Sequence, residues 1–226
     1  MMLAGEADAG AIALKNLTAL KDKGFQTAGG GGGFLVSIAF SGNLWEKKHA
    51  ISGDPLDTAA VYMRQYPWIS PPDDAARMEK ARKVRLAMAM AIDREAVNKA
   101  ILNGLGWPEY IVSASVKSPH FQQRWVVPYD VAKANQLLDE AGYPKKDGVR
   151  FKGVLFVQTE TTPPDIADAI AGYWNAVGIP TDTLKYAYAI FRPGIVQRSN
   201  VIPWLAYFDE GTSNRPFDWP KGLQMS

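Results

Sequence analysis

Strand-like and helix-like segments alternate toward the carboxyl end of the chain, and this alternation constrains the fold more than any other feature. Residues 151–158, 179–188 and 202–208 are short runs rich in apolar and aromatic side chains, which is typical of strands. Between them, residues 164–177 and 189–198 have the spacing and the terminal residues of helices. Strands that alternate with helices in this way predict an α/β body.

Three aspartates upstream of this region predict the starts of helices. Asp73 or Asp74 follows a proline pair and precedes apolar residues at steps of three and four, which indicates a helix with one buried face. That stripe consists of Ala81, Val84, Met88, Ala91 and Ile92. Asp93 is expected to begin a second helix over residues 94–103, and Asp130 to begin a third. The apolar faces of these helices are expected to pack against a core.

Five consecutive glycines at 29–33 separate a leading segment, with a short helix predicted at 11–20, from the rest of the chain. A phosphate-binding P-loop would place Lys and Ser or Thr after its last glycine, whereas here Phe34 opens a run at 34–40 that predicts a buried strand. A hinge or linker is therefore favoured. Residues 46–72 are broken by turn signals and are expected to form a long surface excursion.

Charge and metal-ligand counts exclude several classes of function. The chain has 25 Lys and Arg against 23 Asp and Glu, a formal net charge of +2, so no global field favours nucleic acid. One helix is rich in cations, but it carries no interleaved aromatic residues and is interpreted as a solvated face. Those cations are Arg77, Lys80, Arg82, Lys83 and Arg85. With no cysteine and two histidines, the chain can form no disulfide, thiolate nucleophile, cysteine-ligated metal site or three-histidine metal site, and no cofactor or bound metal is predicted. Transport of a metal or a metal chelate as the solute stays open.

The motifs of common enzymes are absent, and no catalytic residue is predicted. The sequence has no G-x-S-x-G elbow and no H-E-x-x-H helix. The adjacent carboxylates at 73–74, 139–140 and 209–210 are interpreted as caps or solvated faces, because adjacency does not give two carboxyls different environments. His49 and His120 are expected at the surface. An enzyme that uses Glu160, Asp165, Asp168 or His120 in an unrecognised arrangement stays open as an alternative.

The aromatic tail is the segment whose composition best suits a ligand cleft. Residues 202–220 combine five aromatic side chains with four interleaved charges. The aromatic residues are Trp204, Tyr207, Phe208, Phe217 and Trp219, and the charges are Asp209, Glu210, Arg215 and Asp218. The same rings could instead fill a core or pack against another part of the protein.

Three motifs in a fixed order carry a resemblance to a known family. Residues 3–8 (LAGEAD) resemble L-x-x-G-E-x-D, and residues 83–94 (KVRLAMAMAIDR) resemble K-V-R-x-A-x-x-x-A-I-D-R. Residues 129–134 (YDVAKA) with 137–144 (LLDEAGYP) resemble Y-D-x-x-K-A-x-x-L-L-x-E-A-G-Y-P. Together they resemble the extracytoplasmic solute-binding proteins of ABC importers, in the oligopeptide, dipeptide and nickel class known as family 5.

The resemblance implies a periplasmic-binding-protein-like fold with a mixed sheet flanked by helices, in an incomplete two-lobed protein. Residues 1–33 would be a leading segment of hinge or first-lobe character, and 34–200 the α/β second lobe with the excursion at 46–74. Residues 201–226 would be the aromatic tail returning toward the hinge or first lobe. The family acts outside the cytoplasm, yet MMLAGEADAG has acidic residues where a signal peptide would be apolar, so none is predicted within this chain.

The function implied is non-covalent binding of a peptide or similar small solute for delivery to an ABC permease in the membrane. The ligand-binding residues expected from the resemblance and the aromatic tail are Trp45, Trp204, Tyr207 and Asp209. In peptide-binding members an aspartate in the tail region pairs with the amino terminus of the peptide, and Asp209 lies near that position. The alternative is a stand-alone interaction domain that kept the fold of the lobe and binds a protein partner.

Overall fold

The computed structural model describes residues 16–26, 35–40, 48, 52–55, 66–70, 73–111, 115–159, 164–196 and 204–208. The helices are α1 Leu17–Lys21, α2 Ala75–Met90, α3 Arg94–Ile101, α4 Val131–Glu140, α5 Pro164–Ala176 and α6 Tyr188–Val196, with a 3-10 turn at Gln123–Trp125. The strands are β1 Leu35–Ala39, β2 Gly153–Gln158, β3 Thr181–Tyr186 and β4 Trp204–Phe208. Each helix and strand that the sequence predicts within these residues is present.

The three aspartates cap their helices as predicted, with Asp74 rather than Asp73 at the start of α2. The side chain of Asp74 accepts a hydrogen bond from the backbone N–H of Arg77 at 2.9 Å. Asp93 accepts from Ala96 N–H at 2.9 Å, and Asp130 from Lys133 N–H at 2.8 Å. Each carboxylate satisfies a donor that has no partner inside its helix. The local sequence therefore determines where α2, α3 and α4 begin.

The four strands form one mixed sheet in the order β1-β4-β2-β3. Strand β2 runs parallel to β3 on one side and to β4 on the other, whereas β1 runs antiparallel to β4. The parallel strands are joined through helices, as crossover connections require. This arrangement confirms the predicted α/β class and the mixed sheet.

Helices α2, α4 and α5 contribute to one hydrophobic core together with β2, and we call these three helices the helical layer. Helix α5 packs on β2 and β3, and α2 packs against α4. Trp174 on α5 is completely buried, and its indole Nε1–H donates to the backbone oxygen of Met88 at 2.9 Å. Other fully buried side chains of this core are Val84, Leu138, Leu155, Val157 and Ile179. The stripe predicted on α2 therefore faces a real core.

A buried arginine that the sequence analysis did not single out links α4, α5 and β2. Arg150 precedes β2, and its side chain is only 3% exposed. Its Nε donates to the oxygen of Val177 at 2.9 Å, and its Nη2 donates to Asn135 Oδ1 at 2.9 Å. Its Nη1 donates to the carboxylate of Asp139 and to the backbone oxygen of Tyr143. The planar guanidinium thus holds the ends of α4 and α5 against the start of β2.

The predicted surface excursion is wrong for residues 68–70. Residues 52–55 are exposed as expected, but Trp68, Ile69 and Ser70 are buried. The ring of Trp68 lies 4.9 Å from that of Tyr66 and 6.4 Å from that of Phe151, measured between centroids. The turn signals around this segment predicted exposure and gave no indication that Trp68 is buried. The large apolar surface of a tryptophan favours packing against the core.

The solvated basic face predicted on α2 is wrong for Arg85. Arg82 is exposed and pairs with Glu79 on the same helix at 2.7 Å, in agreement with the expectation. Arg85 is half-buried, and its Nη1 donates to the backbone oxygen of Trp68 at 2.6 Å. Burial lowers the pKa of the Arg85 guanidinium. The cation holds residues 66–70 in place instead of facing only water.

Candidate functional site

The carboxyl ends of the three parallel strands meet at one edge of the sheet, which we call the carboxyl edge. Strands β2, β3 and β4 end there at Gln158, Tyr186 and Phe208. The chain moves from β2 to β3 on one side and then returns to place β4 on the other side of β2. In open α/β sheets, ligands bind outside the carboxyl ends of the strands where the strand order reverses in this way. The topology alone makes this edge the candidate site.

Two of the four predicted ligand-binding residues lie in β4, and the other two lie outside the described residues. Trp204 is at the amino end of β4, in register with Ala39 and Phe156. Tyr207 is in register with Val36, one residue before the carboxyl end of the strand. Trp45 and Asp209 belong to the residues that the structure does not describe. The assignment of all four to ligand binding stays a prediction.

Positions 204 and 207 lie near opposite ends of β4. Because successive positions of a strand alternate between the two faces of the sheet, these two positions also lie on opposite faces. Three residues span about 10 Å in an extended strand. Position 204 pairs with Phe156, whereas position 207 pairs with Val36, a residue that packs against the core. Position 207 therefore lies at the carboxyl edge, while position 204 lies at the other end of the strand.

Exposed side chains at the carboxyl edge form an aromatic surface that the sequence analysis missed. Tyr186 at the end of β3 is 42% exposed, Tyr188 at the start of α6 is 36% exposed, and Ile190 is 65% exposed. The ring of Tyr186 lies 5.8 Å from that of Phe156, which is buried but outside the main core. The signal in the sequence is Tyr-Ala-Tyr at 186–188, which lies at the boundary between the predicted strand and the predicted helix.

A concave surface lies away from the carboxyl edge, at the joint between α2 and α3. Its lining includes Arg94, Pro108, Tyr110 and Tyr129. The Arg94 guanidinium lies 5.3 Å from the centre of the Tyr110 ring and donates to the oxygen of Ala89 at 3.2 Å. Burial lowers the pKa of Arg94. The carbonyl at the carboxyl end of α2 thus already engages this cation, which gives it a structural role at the joint.

The carboxylates considered for catalysis are engaged in structure where they are described. Asp74 caps α2, Asp139 pairs with Arg150, and Asp168 pairs with Lys185 at 2.8 Å. His120 is exposed, as predicted, whereas Glu160 and His49 lie outside the described residues. Among the residues that are described, no three His, Asp or Glu side chains are placed to hold a metal ion. None of the described helices is long and apolar enough to cross a membrane.

These features define an α/β lobe of the periplasmic-binding-protein class, with its candidate site at the carboxyl edge. Residues 1–218 match the family described as bacterial extracellular solute-binding proteins, family 5 Middle, and the chain belongs to this family. The resemblance inferred from the three motifs is thereby confirmed. The family is described as solute-binding proteins, and the structure that this chain resembles is named as a binding protein rather than as an enzyme.

Sequence relatives cover only part of the chain. Heme-binding protein A of Haemophilus influenzae is 31% identical over 122 residues, which cover 49% of this chain and 20% of that protein. Glutathione-binding protein GsiB of Salmonella typhimurium is 44% identical over 63 residues, or 27% of this chain and 12% of that protein. The matched region therefore spans about a fifth of the length of heme-binding protein A.

Solved structures support the fold over a larger part of the chain. The oligopeptide-binding protein OppA has a TM-score of 0.53 at 23% identity, covering 67% of this chain and 25% of OppA. NikA from Brucella suis has a TM-score of 0.54 at 14% identity, covering 91% of this chain and 37% of NikA. These likenesses show the fold of a lobe, and this chain spans about a quarter of OppA and about a third of NikA.

Proposed function

We propose that this chain is the second-lobe portion of the substrate-binding component of an ABC importer, and that it binds a peptide or similar small solute without covalent chemistry. The observation that supports this most directly is the exposed aromatic surface at the carboxyl edge, in a chain that belongs to family 5. Relatives are named for oligopeptides, glutathione and heme, which are all solutes with apolar and charged parts. We place the protein in the periplasm or outside the cell, where it would deliver its solute to a membrane permease.

The proposed mechanism is closure of two lobes on the solute. Tyr186 and Tyr188 would contact the apolar part of the solute from this lobe, and Trp45, Tyr207 and Asp209 are proposed as further contacts. Trp204 is proposed as a contact for a solute that extends along β4, because it lies at the amino end of that strand. The other lobe would provide the opposite wall when the protein closes at its hinge. Because one wall alone leaves much of the solute in water, this chain by itself should bind weakly.

The experiment is a titration of the 226-residue chain with a mixture of tripeptides, followed by mass spectrometry of the bound fraction. We expect retention of peptides with an aromatic or apolar residue, and about a tenfold loss of affinity in the Tyr186→Ala, Tyr188→Ala double variant. Tyr129→Ala is the matched control, because Tyr129 is 48% exposed but lies at the α2–α3 joint. Binding that is unchanged in the double variant would contradict the proposed site.

A specific observation favours the interaction domain as a second candidate. Leu105 and Trp107 are exposed in the loop after α3, and Trp107 is fixed in its orientation. Its Nε1–H donates to Glu109 at 2.5 Å, and Lys117 Nζ lies 3.3 Å from its ring centre. Exposed tryptophans held in one orientation are frequent anchors of protein interfaces. A dimer in light scattering that disappears in Trp107→Ser would support this candidate, and a monomer at all concentrations would exclude self-association.

A further inference from the structure

The nearly balanced charge of the whole chain conceals a strong asymmetry. Residues 75–85 and 131–152, which include the first part of α2, all of α4 and the turn before β2, carry ten Lys and Arg against four Asp and Glu. Their formal net charge is +6 while that of the whole chain is +2, so the remaining residues together carry −4. We propose that the basic surface formed by these two segments docks on an anionic phospholipid membrane.

Contacts between α2 and the end of α4 bring these cations together. Arg77, Lys80 and Lys83 recur at steps of three on α2, so they lie along one face of the helix. Lys83 Nζ donates to the carboxylate of Glu140, the last residue of α4, at 2.8 Å. Burial raises the pKa of Tyr143, and the charge of Arg77 acts in the opposite direction, which places Arg77 near that ring. The cationic face of α2 therefore runs along the end of α4.

The turn that follows α4 extends this surface with three exposed lysines. Lys145 and Lys146 follow Tyr143 by two and three residues, and Lys152 comes directly before β2. The ring of Tyr143 lies 5.1 Å from that of Phe151, measured between centroids, so both ends of the turn are held together. The basic surface thus consists of Arg77, Lys80, Lys83, Lys145, Lys146 and Lys152.

Most of the acids in this region are already paired, whereas three of its lysines are not. The ion pairs are Glu79–Arg82, Lys83–Glu140 and Asp139–Arg150. The fourth acid, Asp147, is exposed and offsets part of the charge of the lysines beside it. Lys80, Lys146 and Lys152 form no ion pair within the part of the chain that the structure describes. These three cations are therefore available to an external anion.

The basic surface lies at the opposite end of β2 from the candidate solute site. The turn at 145–152 precedes β2, and the carboxyl edge lies where that strand ends. A strand of six residues spans about 20 Å. A lobe that rests on its basic surface would leave the carboxyl edge open to solute. The net negative charge of the remaining residues favours this orientation, because an anionic membrane repels it.

An anionic membrane is the occupant that the charge of this surface favours. Anionic headgroups attract clusters of Lys and Arg, and each cation near the membrane strengthens binding by about fivefold. A second copy of the chain would bring the same cations face to face in a symmetric dimer, where they repel each other. Residues 75–85 contain no aromatic side chain on which a nucleic acid base could stack.

The test measures how much of the 226-residue chain sediments with phosphatidylcholine vesicles that contain or lack phosphatidylglycerol. At about 0.1 M salt we expect at least a roughly tenfold preference for the anionic vesicles, and a decrease as salt is added, because the cations are exposed. The double variant Lys80→Gln, Lys146→Gln should bind them about 25-fold more weakly, or about fivefold for each lysine.

A matched control removes the same charge from another part of the chain. Lys99 and Arg124 are exposed, and they lie on α3 and on the 3-10 turn, beyond the carboxyl end of α2. The double variant Lys99→Gln, Arg124→Gln should change binding to the anionic vesicles by no more than about twofold, because salt screens distant charges. Circular dichroism checks that both double variants are folded.

The outcomes separate this inference from the proposed function. Equal binding to both kinds of vesicle, or an equal loss in the two double variants, overturns the inference. Tighter binding to a DNA duplex than to the anionic vesicles would assign the surface to nucleic acid and also overturns it. Tripeptide binding is measured without vesicles, so its failure would contradict the proposed function whatever the vesicles show.

Discussion

The helical layer and the carboxyl edge of the same sheet differ in how completely their side chains are engaged. In the helical layer, Trp174 is fully buried and hydrogen-bonded, and Arg150 donates to four different oxygens. At the carboxyl edge, Tyr186, Tyr188 and Ile190 keep between 36% and 65% of their surface exposed to solvent. The first region buries its large side chains, whereas the second leaves apolar and aromatic surface exposed.

This difference explains what the sequence motifs can and cannot identify. The motif at 83–94 supplies Val84, Met88 and the cap Asp93, and the motif at 137–144 supplies Leu138. These residues build the helical layer, so the motifs that contain them indicate the fold rather than the solute. The exposed residues at 186–192 belong to neither motif. Motifs therefore assign the family, and the carboxyl edge has to be analysed separately for the solute.

The largest effect on stability is expected from truncating Trp174, which lies at the centre of the helical layer. Trp174→Ala should lower the free energy of unfolding by about 3–5 kcal/mol, because it leaves a cavity and removes the donor to Met88 O. Trp174→Phe, which keeps most of the volume, should cost less. Urea denaturation followed by circular dichroism measures both. A loss below about 1 kcal/mol for Trp174→Ala would mean that the helical layer is not the stabilising region.

The next effect is expected at Arg150. Arg150→Met should destabilise the chain by about 2–4 kcal/mol, because carbonyl and carboxylate acceptors at the ends of α4 and α5 lose their donor. Arg150→Lys retains the charge but not the planar fork, and should recover only part of the loss. Thermal denaturation of the three proteins gives the ranking. Full recovery by lysine would show that charge rather than geometry is required.

A substitution at the carboxyl edge should have a small effect on stability and a larger effect on binding. Tyr188→Ala should change the free energy of unfolding by no more than about 0.5–1 kcal/mol, since the side chain is partly exposed, yet it should weaken tripeptide binding about fivefold. Denaturation and calorimetry on the same variant check both numbers. A large loss of stability with unchanged binding would erase the distinction between the two regions.

The smallest effect is expected from an exposed contact between α2 and α4. A hydrogen bond from Lys83 Nζ at 2.8 Å, and a second from Gln136, lower the pKa of Glu140 below its ordinary value of 4.5. The unfolded chain therefore binds this proton more readily, and the stability that the contact provides is lost as pH falls from 4.5 through the lowered pKa. Between about pH 5 and pH 3 the stability of Glu140→Gln should fall less steeply than that of the unmodified chain. Lys83→Met should flatten the curve in the same way.

Local sequence patterns were sufficient to predict the helices and strands, but not to predict how these elements pack together. Asp93 and Asp130 could be assigned as caps because a cap depends on the few residues that follow it. The burial of Trp68 could not be predicted, since it depends on Phe151 and Arg85, which are distant in sequence. The exposure of Tyr188 was equally hidden, because the strand and helix patterns around it do not show which face the rest of the fold covers. The strand order, which defines the carboxyl edge, is a property of long-range pairing.

The position of β4 between β1 and β2 also sets the order in which this sheet can be completed. Strand β1 holds Leu35 opposite Phe208, so the first strand described pairs with the last. During synthesis or secretion from the amino end, β1 emerges long before the segment that hydrogen-bonds to it, and both β1 and β2 expose unpaired edges until residues 204–208 arrive. Long-range closure of this kind slows folding and extends the time during which open edges can aggregate. A chain that stops before residue 204 would keep its helices and lose the strand that joins the two sides of the sheet.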